Sequence, residues 1–330
     1  MKPGTGITGI GSYIPLRVLT NDDVAARFGM PGEWIEEKTG VLRRHVAGPE
    51  ETVADMAAAA ARRALRDAGV DARDVGLIVA ASSTPGRFVP SIACGVQRLL
   101  GAKSATALDV NAACAGFMYA LHVTLALLRC AHAGRPALVI GSERYSHHLD
   151  YGDRRTASLF GDGAGAVVVD RVPEPYGFML SDIGSDGSKE NYVRIVREGT
   201  GSLDPYTLLM DGRATREFIE QQLPVMLDQA THNAGLTLDD LDVVIPHQAN
   251  MRLVNSILNK AGVPEWKTWA TGHRYGNTGA ASVPITLDSA RMAGRLTDGA
   301  TVLLAALGSG MTWGTSLLRW RPISNQPSVL

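Results

Sequence analysis

The sequence predicts an α/β protein made of two similar halves, each a helix-covered and mainly parallel sheet. Three observations carry this expectation. The 330-residue chain is 45% hydrophobic and 20% charged, enough apolar material for a large packed core. Helical patterns alternate with short β-rich runs along its length. One helix–glycine–strand unit also occurs twice: "ALRDAGVDARDVGLIV", from Ala64 to Val79, is matched in pattern by "ATHNAGLTLDDLDVVI", from Ala230 to Ile245.

The N-terminal "MKPGTGITGIGSYIP" is interrupted by Gly and Pro and lacks a long apolar run, which argues against a signal peptide. "TVADMAAAAARRALRDAG" is a long Ala-rich helix stopped by Gly69, since glycine adopts a positive φ without a Cβ clash. The longest apolar run, "AACAGFMYALHVTLALL", contains His122 and is shorter than the ~20 residues of a bilayer span. It is expected to be a helix buried on most sides. "ALVIGSERY" and "AGAVVVD" are strands that close the first half.

The two prolines of "DRVPEPYG" suit a linker, dividing the chain into halves 1–172 and 173–330. The second half repeats the long helix as "ATREFIEQQLPVMLDQATHNAG", which Pro224 is expected to disturb. "TVLLAALGSGM" and "WGTSLLRW" repeat the closing strands. A single site between the halves is the natural expectation.

A net charge of −1 gives no global attraction for nucleic acid or an anionic membrane, so neither is an expected partner. The three cysteines, Cys94, Cys114 and Cys130, lack C-x-x-C spacing. That fits a reducing cytoplasm and argues against a disulfide framework or a zinc site. No metal or resident cofactor is expected.

Cys114, in "DVNAACAGFMYAL", sits between small residues where a strand gives way to the apolar helix. Unpaired N–H groups and the positive helix end are expected to lower its pKa and make it a nucleophile. Cys94 and Cys130 lack that setting and are read as packing residues. In "DVVIPHQAN", His247 follows a buried strand at its carboxyl end, where open α/β sheets bind ligands. In "HRYGNTGAASVP", Asn277 lies in a small-residue turn before an apolar helix. A thiol with two hydrogen-bonding partners is a constellation for covalent catalysis. Gly161, Gly163 and Gly165 of "FGDGAGAVVV" precede a strand rather than a helix, so they form neither a dinucleotide loop nor a P-loop.

"DVNAACAGF", "GDGAGAVVV", "PHQAN", "GNTGAASVP" and "GSGMTWG" resemble the motifs of 3-oxoacyl-[acyl-carrier-protein] synthase III, a condensing enzyme of the thiolase superfamily. The resemblance runs from about Gly9 to Trp320. It implies a thiolase-like duplicated five-layered αβαβα fold, a homodimer, and Cys114, His247 and Asn277 as the catalytic triad. An acyl group from acyl-CoA would load onto Cys114. Malonyl-acyl-carrier protein would then lose carbon dioxide and attack it in a Claisen condensation, giving a 3-oxoacyl thioester.

By the same resemblance, backbone N–H groups of Cys114 and of Ser309, in the Gly308-Ser309-Gly310 turn, would bind the oxyanion. Trp34 and Arg154 would flank the CoA adenine, and Arg252 and Lys260 would face the acidic carrier protein. Val89, Leu307 and Met311, with residues of a partner subunit, would set the pocket's size. Leu307, Gly279, Met311, Arg216 and Lys38 depart from the family's usual residues, Gly279 replacing a serine. These departures leave open specialised, polyketide-type metabolism, and acyl transfer to an oxygen or nitrogen acceptor without decarboxylation. A Cys-His-Asn hydrolase is the alternative of another class. It is opposed by the duplication and by the lack of a C-G-S-C-W-like element near the N-terminus.

Overall fold

The computed structural model describes residues 4–130, 134–197 and 206–323. Its strands, in chain order, are β1 (Gly4–Tyr13), β2 (Arg17–Thr20), β3 (Arg43–Val46), β4 (Leu77–Ala81), β5 (Thr106–Val110), β6 (Ala137–Arg144), β7 (Asp162–Val172), β8 (Gly177–Ser185), β9 (Val193–Arg197), β10 (Tyr206–Met210), β11 (Val243–Pro246), β12 (Thr301–Gly308) and β13 (Thr312–Arg319). The helices are α1 (Asn21–Ala25), α2 (Glu33–Thr39), α3 (Val53–Ala68), α4 (Ile92–Leu100), α5 (Gly116–Cys130), α6 (Arg154–Ala157), α7 (Gly212–Asn233), α8 (Met251–Lys260), α9 (Gly272–Tyr275) and α10 (Ser282–Met292).

Two sheets organise the chain, ordered β1-β7-β6-β4-β5 and β11-β12-β13-β8. They repeat one another: β8, β13, β12 and β11 follow the same path as β1, β7, β6 and β4. In the duplicated unit, α3 ends at Gly69 (φ 67°) and leads to β4, while α7 ends before Gly235 (φ 70°) and leads to β11. Residues 173–176 join the sheets.

Five layers result. Ala57, Ala61, Ala64 and Leu65 of α3 pack with Val96 of α4 on the outer face of the first sheet. Phe117 and Leu121 of α5 and Val283 and Leu287 of α10 lie between the sheets, against Val79 and Val139 on one side and Ile245 and Leu304 on the other. Leu223 and Leu227 of α7 and Ile257 of α8 cover the far face of the second sheet. Each helix has one apolar stripe to bury, and each sheet has two faces to cover, so helix layers alternate with sheets.

Four sequence expectations are corrected by the structure. The sheets are mixed rather than mainly parallel: β4 runs parallel to β5 and β6, and β11 to β12, but β7 and β13 are antiparallel to their neighbours. For β13 the reason is local, because β12 turns back into it within Ser309–Met311, with no room for a crossover helix. Pro224 does not interrupt α7, which runs unbroken with Leu223, Met226 and Leu227 buried around it. Finally, α5 is buried mainly over its first half. The stretch Ala113–Cys130 has a mean hydropathy of 1.5, apolar and long enough by composition to cross a membrane, and 39% of it is buried. Cys94 and Cys130 are exposed thiols rather than core residues.

Candidate active site

Cys114, His247 and Asn277 line one cavity of about 1000 Å³. Three separate joints bring them there. Cys114 lies in the 3-10 turn Ala113–Ala115 between β5 and α5; His247 directly follows β11; Asn277 lies between α9 and α10.

The turn that presents Cys114 is strained. Ala113 has φ 47°, the one positive φ outside glycine among the described residues. A left-handed alanine costs roughly 1–2 kcal/mol, and such strain is characteristic of functional turns. Gly308 packs against this turn: a Cβ there would lie 2.6 Å from the Ala112 carbonyl oxygen, 2.7 Å from the Ala115 nitrogen and 2.9 Å from the Cys114 nitrogen. Only a glycine brings the Gly308–Ser309 backbone so close to the Cys114 N–H. Thr312 Oγ1 donates to the Ala112 carbonyl at 2.9 Å, and Ser309 Oγ donates to the Val193 carbonyl.

The expected lowering of the Cys114 pKa is not found. Burial, and then the nearby Glu143 carboxyl, push the thiol up to about 12. Desolvation of a thiolate outweighs the helix end. Cys114 therefore rests as a thiol, partly exposed to the cavity.

His247 is buried, and burial pushes its pKa down to about 4. Its ring is neutral at ordinary pH. Nδ1 lies 2.6 Å from Ser282 Oγ, which itself accepts from the Gln248 N–H at 3.5 Å. The serine proton is thus directed to Nδ1, leaving the imidazole proton on Nε2. Asn277 Oδ1 accepts from the Gly279 N–H at 2.8 Å, so the amide oxygen is occupied and the NH₂ is left as a donor. Its backbone is pinned by Leu159 and Gly161, which binds the glycine-rich motif to the site as a structural turn. The other polar residues of "PHQAN" are structural. Gln248 Oε1 accepts from the Thr271 and Gly272 N–H groups, and Asn250 caps α8 by accepting from Leu253.

A neutral histidine and an amide that line one cavity with a thiol can donate two hydrogen bonds to an oxyanion while the sulfur holds an acyl group. The comparisons with known proteins agree. Family models for 3-oxoacyl-[acyl-carrier-protein (ACP)] synthase III and for its C-terminal part match residues 108–187 and 231–320. The beta-ketoacyl-[acyl-carrier-protein] synthase III of Geobacillus kaustophilus is 42% identical over 317 residues, spanning 96% of this chain and 99% of that protein. That of Bordetella petrii is 44% identical over 325 residues, spanning 95% and 97%. The chain belongs to the 3-oxoacyl-[acyl-carrier-protein] synthase III family.

Solved structures place it in the same thiolase-like fold. The synthase III of Aquifex aeolicus superposes with a TM-score of 0.90 at 38% identity, covering 96% of this chain and 100% of that one. The priming β-ketosynthase of the R1128 polyketide biosynthetic pathway superposes with a TM-score of 0.91 at 33% identity, covering 97% of each. This membership removes the hydrolase alternative.

Around the synthase III site, Leu307 and Met311 are buried and line the cavity. Val89 does not. It is 82% exposed on the segment after β4, and its neighbour Phe88, edge-on to Tyr206 at 6.1 Å, lines the cavity instead. Val89 has no wall to join within a single chain.

Trp34 and Arg154 stand at the mouth, with the guanidinium 5.5 Å from the ring centroid. A base between them needs roughly 7 Å, two contacts of about 3.5 Å, so the pair must part to admit one. Buried Arg44 ties the end of α6 to the start of α1, donating to the Ser158 carbonyl at 2.8 Å and to Asn21 Oδ1 at 2.9 Å. Lys38, Arg87, Arg194, Arg216 and Arg252 also line the cavity, and no Asp or Glu does among the described residues. Arg252 and Lys260 are both exposed on α8, about 12 Å apart along its axis, with Lys260 away from the cavity.

Sequence reasoning missed Tyr145, Ser83 and Glu143. Tyr145 and Ser83 line the cavity, and Tyr145 Oη is 3.9 Å from Cys114 Sγ. The available signal was Glu143, a carboxylate that follows the apolar "ALVIG" run of a buried strand. Nothing in the sequence marked Tyr145.

Proposed function

We propose that Cys114 takes an acyl group from acyl-CoA and that His247 and Asn277 then drive decarboxylative condensation with malonyl-acyl-carrier protein, releasing a 3-oxoacyl thioester. One observation carries this reading above all. The two donors are held as neutral donors, His247 by burial and by Ser282, and Asn277 by the Gly279 N–H. Loss of carbon dioxide from a malonyl thioester leaves an enolate oxygen, and two pre-aimed donors stabilise that charge without reorganisation. The enolate carbon attacks the acyl carbonyl on Cys114. The oxygen that becomes negative there is met by the N–H groups of Cys114 and Ser309, each worth about 3–4 kcal/mol to the transition state.

The cavity, at the upper end of the usual 300–1,000 Å³ for small-molecule sites, has room for a pantetheine arm and an acyl chain. Its cationic lining suits CoA phosphates and an acidic carrier protein, with Trp34 and Arg154 on the adenine and Arg252 and Lys260 on the carrier. A homodimer is supported by the open edge of β5 and by the half-exposed leucines Leu125, Leu127 and Leu128 of α5. Phe88 and Val89, exposed on the same half, suit a place at that interface, where Val89 would serve the partner's pocket. Exposed free thiols fit a reducing cytoplasm. The likeness to the priming β-ketosynthase of the R1128 polyketide pathway supports a specialised, polyketide-type starter over the housekeeping one.

Intact-protein mass spectrometry with a panel of acyl-CoA thioesters, with Cys114→Ala as control, tests the reading. An adduct on Cys114 that malonyl-acyl-carrier protein converts to a 3-oxoacyl product supports condensation. An adduct that is passed only to an oxygen or nitrogen acceptor replaces it with simple acyl transfer.

A further inference from the structure

Glu143 has no part in the condensation just described, yet it is fully buried beside the thiol. Its carboxylate accepts from four donors: Ser82 Oγ at 3.2 Å, the Ser83 N–H at 3.0 Å, Ser83 Oγ at 3.1 Å, and Thr84 Oγ1. The hydroxyl directions are fixed by other bonds. Thr84 Oγ1 accepts from the Arg144 N–H at 2.8 Å, and Ser82 Oγ accepts from the Thr84 N–H at 3.0 Å, so both protons point to Glu143.

Ser83 Oγ, having given its proton to Glu143, lies 2.7 Å from Tyr145 Oη and must accept there. The tyrosine proton therefore points at Ser83, and its lone pairs face Cys114 Sγ at 3.9 Å, within reach of an S–H donor. The chain has one polarity: Cys114 to Tyr145 to Ser83 to Glu143. Gly279 makes it possible, since a Cβ there would lie 2.9 Å from both Tyr145 Oη and Glu143 Cγ.

We propose that this chain carries the Cys114 proton to Glu143 during acyl loading, making Glu143 the base of that step and Tyr145 and Ser83 its relay. The inference rests on the loading reading above. As the S–H bond breaks, Tyr145 takes the thiol proton, Ser83 takes the tyrosine's, and Glu143 takes the serine's. The sulfur lone pair forms the bond to the acyl carbon, and the bond from that carbon to the CoA sulfur breaks. The departing CoA sulfur takes the proton back along the same chain, which restores ionised Glu143. Throughout, the pocket holds one negative charge rather than two. Burial keeps Cys114 a thiol at rest, so loading needs a base. Of the two buried acceptors, Glu143 is pushed up to about 7 and His247 down to about 4, so Glu143 holds a proton more readily.

The test separates loading from condensation. Rapid-quench acylation of wild type, Tyr145→Phe and Ser83→Ala is followed by intact mass, using the acyl-CoA that loads wild type fastest. Each enzyme, once acylated to completion, is then mixed with malonyl-acyl-carrier protein. Loading should slow about a hundredfold in both variants, the usual scale of a lost proton-transfer group, and at least thirtyfold more than condensation does. The wild-type loading rate should also fall in D₂O with a curved proton inventory that Tyr145→Phe straightens. Loading within fivefold of wild type, or loading and condensation slowed equally, would overturn the relay. A wild type that takes no acyl group from any thioester would overturn the loading reading itself.

Discussion

Gly279 and Tyr145 share one space: a Cβ on Gly279 would lie 2.5 Å from Tyr145 Cε2. The ring reaches the thiol only because position 279 has no side chain, and Gly279 also has φ 54°. Gly279→Ser, which restores the family's usual residue, should cost about 2–4 kcal/mol through overpacking and a left-handed serine. Part of that loss should return in Gly279→Ser/Tyr145→Leu, where the ring is gone. Urea unfolding of the singles and the double should give a coupling above about 1 kcal/mol. Additive losses would mean the two residues do not share the space.

Gly308 should be as restrictive on the other side of the sulfur. In Gly308→Ala the new methyl meets the Ala112 carbonyl oxygen and the Ala115 nitrogen, both rigid backbone. The turn must move away from the Cys114 N–H, and loading should slow by about 10²–10³, the range for a lost oxyanion donor. Single-turnover acylation measures it. An unchanged rate would show that this turn does not serve the oxyanion.

His247 predicts a pH signature in stability. Its folded pKa, about 4, lies below the unfolded value near 6.5, so the unfolded chain binds more protons between those values. Its contribution is therefore intact above pH 6.5 and is lost as pH falls towards 4, by about 3 kcal/mol in all. Glu143, raised to about 7, has the opposite sign: its contribution is present below about 4.5 and lost as pH rises through 7. Comparing wild type with His247→Asn cancels Glu143. The difference in unfolding free energy should be flat above pH 6.5 and shift in favour of the variant below it.

Arg252 and Lys260 should separate two kinds of binding. Arg252 lines the cavity mouth and Lys260 does not. Arg252→Glu should raise KM for both acyl-CoA and malonyl-acyl-carrier protein. Lys260→Glu should raise only the carrier-protein KM, by roughly tenfold at low salt and less at high salt. Steady-state kinetics at two ionic strengths distinguish them.

Much of this was legible in the sequence where the signal is local. Gly69 and Gly235 mark the duplicated helix ends because a positive φ is needed within a few residues of each helix. Cys114, His247 and Asn277 stood out because each lies in a motif of small or polar residues at a strand or helix joint. What depends on distant partners was not legible. The antiparallel pairing of β7 with β1 joins strands far apart in the chain, and the Cys114 pKa is raised by burial that no neighbour in sequence supplies. Tyr145 reaches the thiol through a vacancy at Gly279, far along the chain. Val89 is exposed within its own chain, so nothing in its own sequence neighbourhood shows what it packs against.

The proposed decarboxylative condensation needs one thiol, one neutral imidazole and one amide. Its most direct measurement uses acylated enzyme and malonyl-acyl-carrier protein labelled in the free carboxyl group. One labelled carbon dioxide should be released for each acyl group that leaves Cys114, and His247→Ala should keep its acyl group with release slowed by at least a hundredfold. Discharge of Cys114 without release of label would rule out condensation and make the protein an acyl-transfer enzyme.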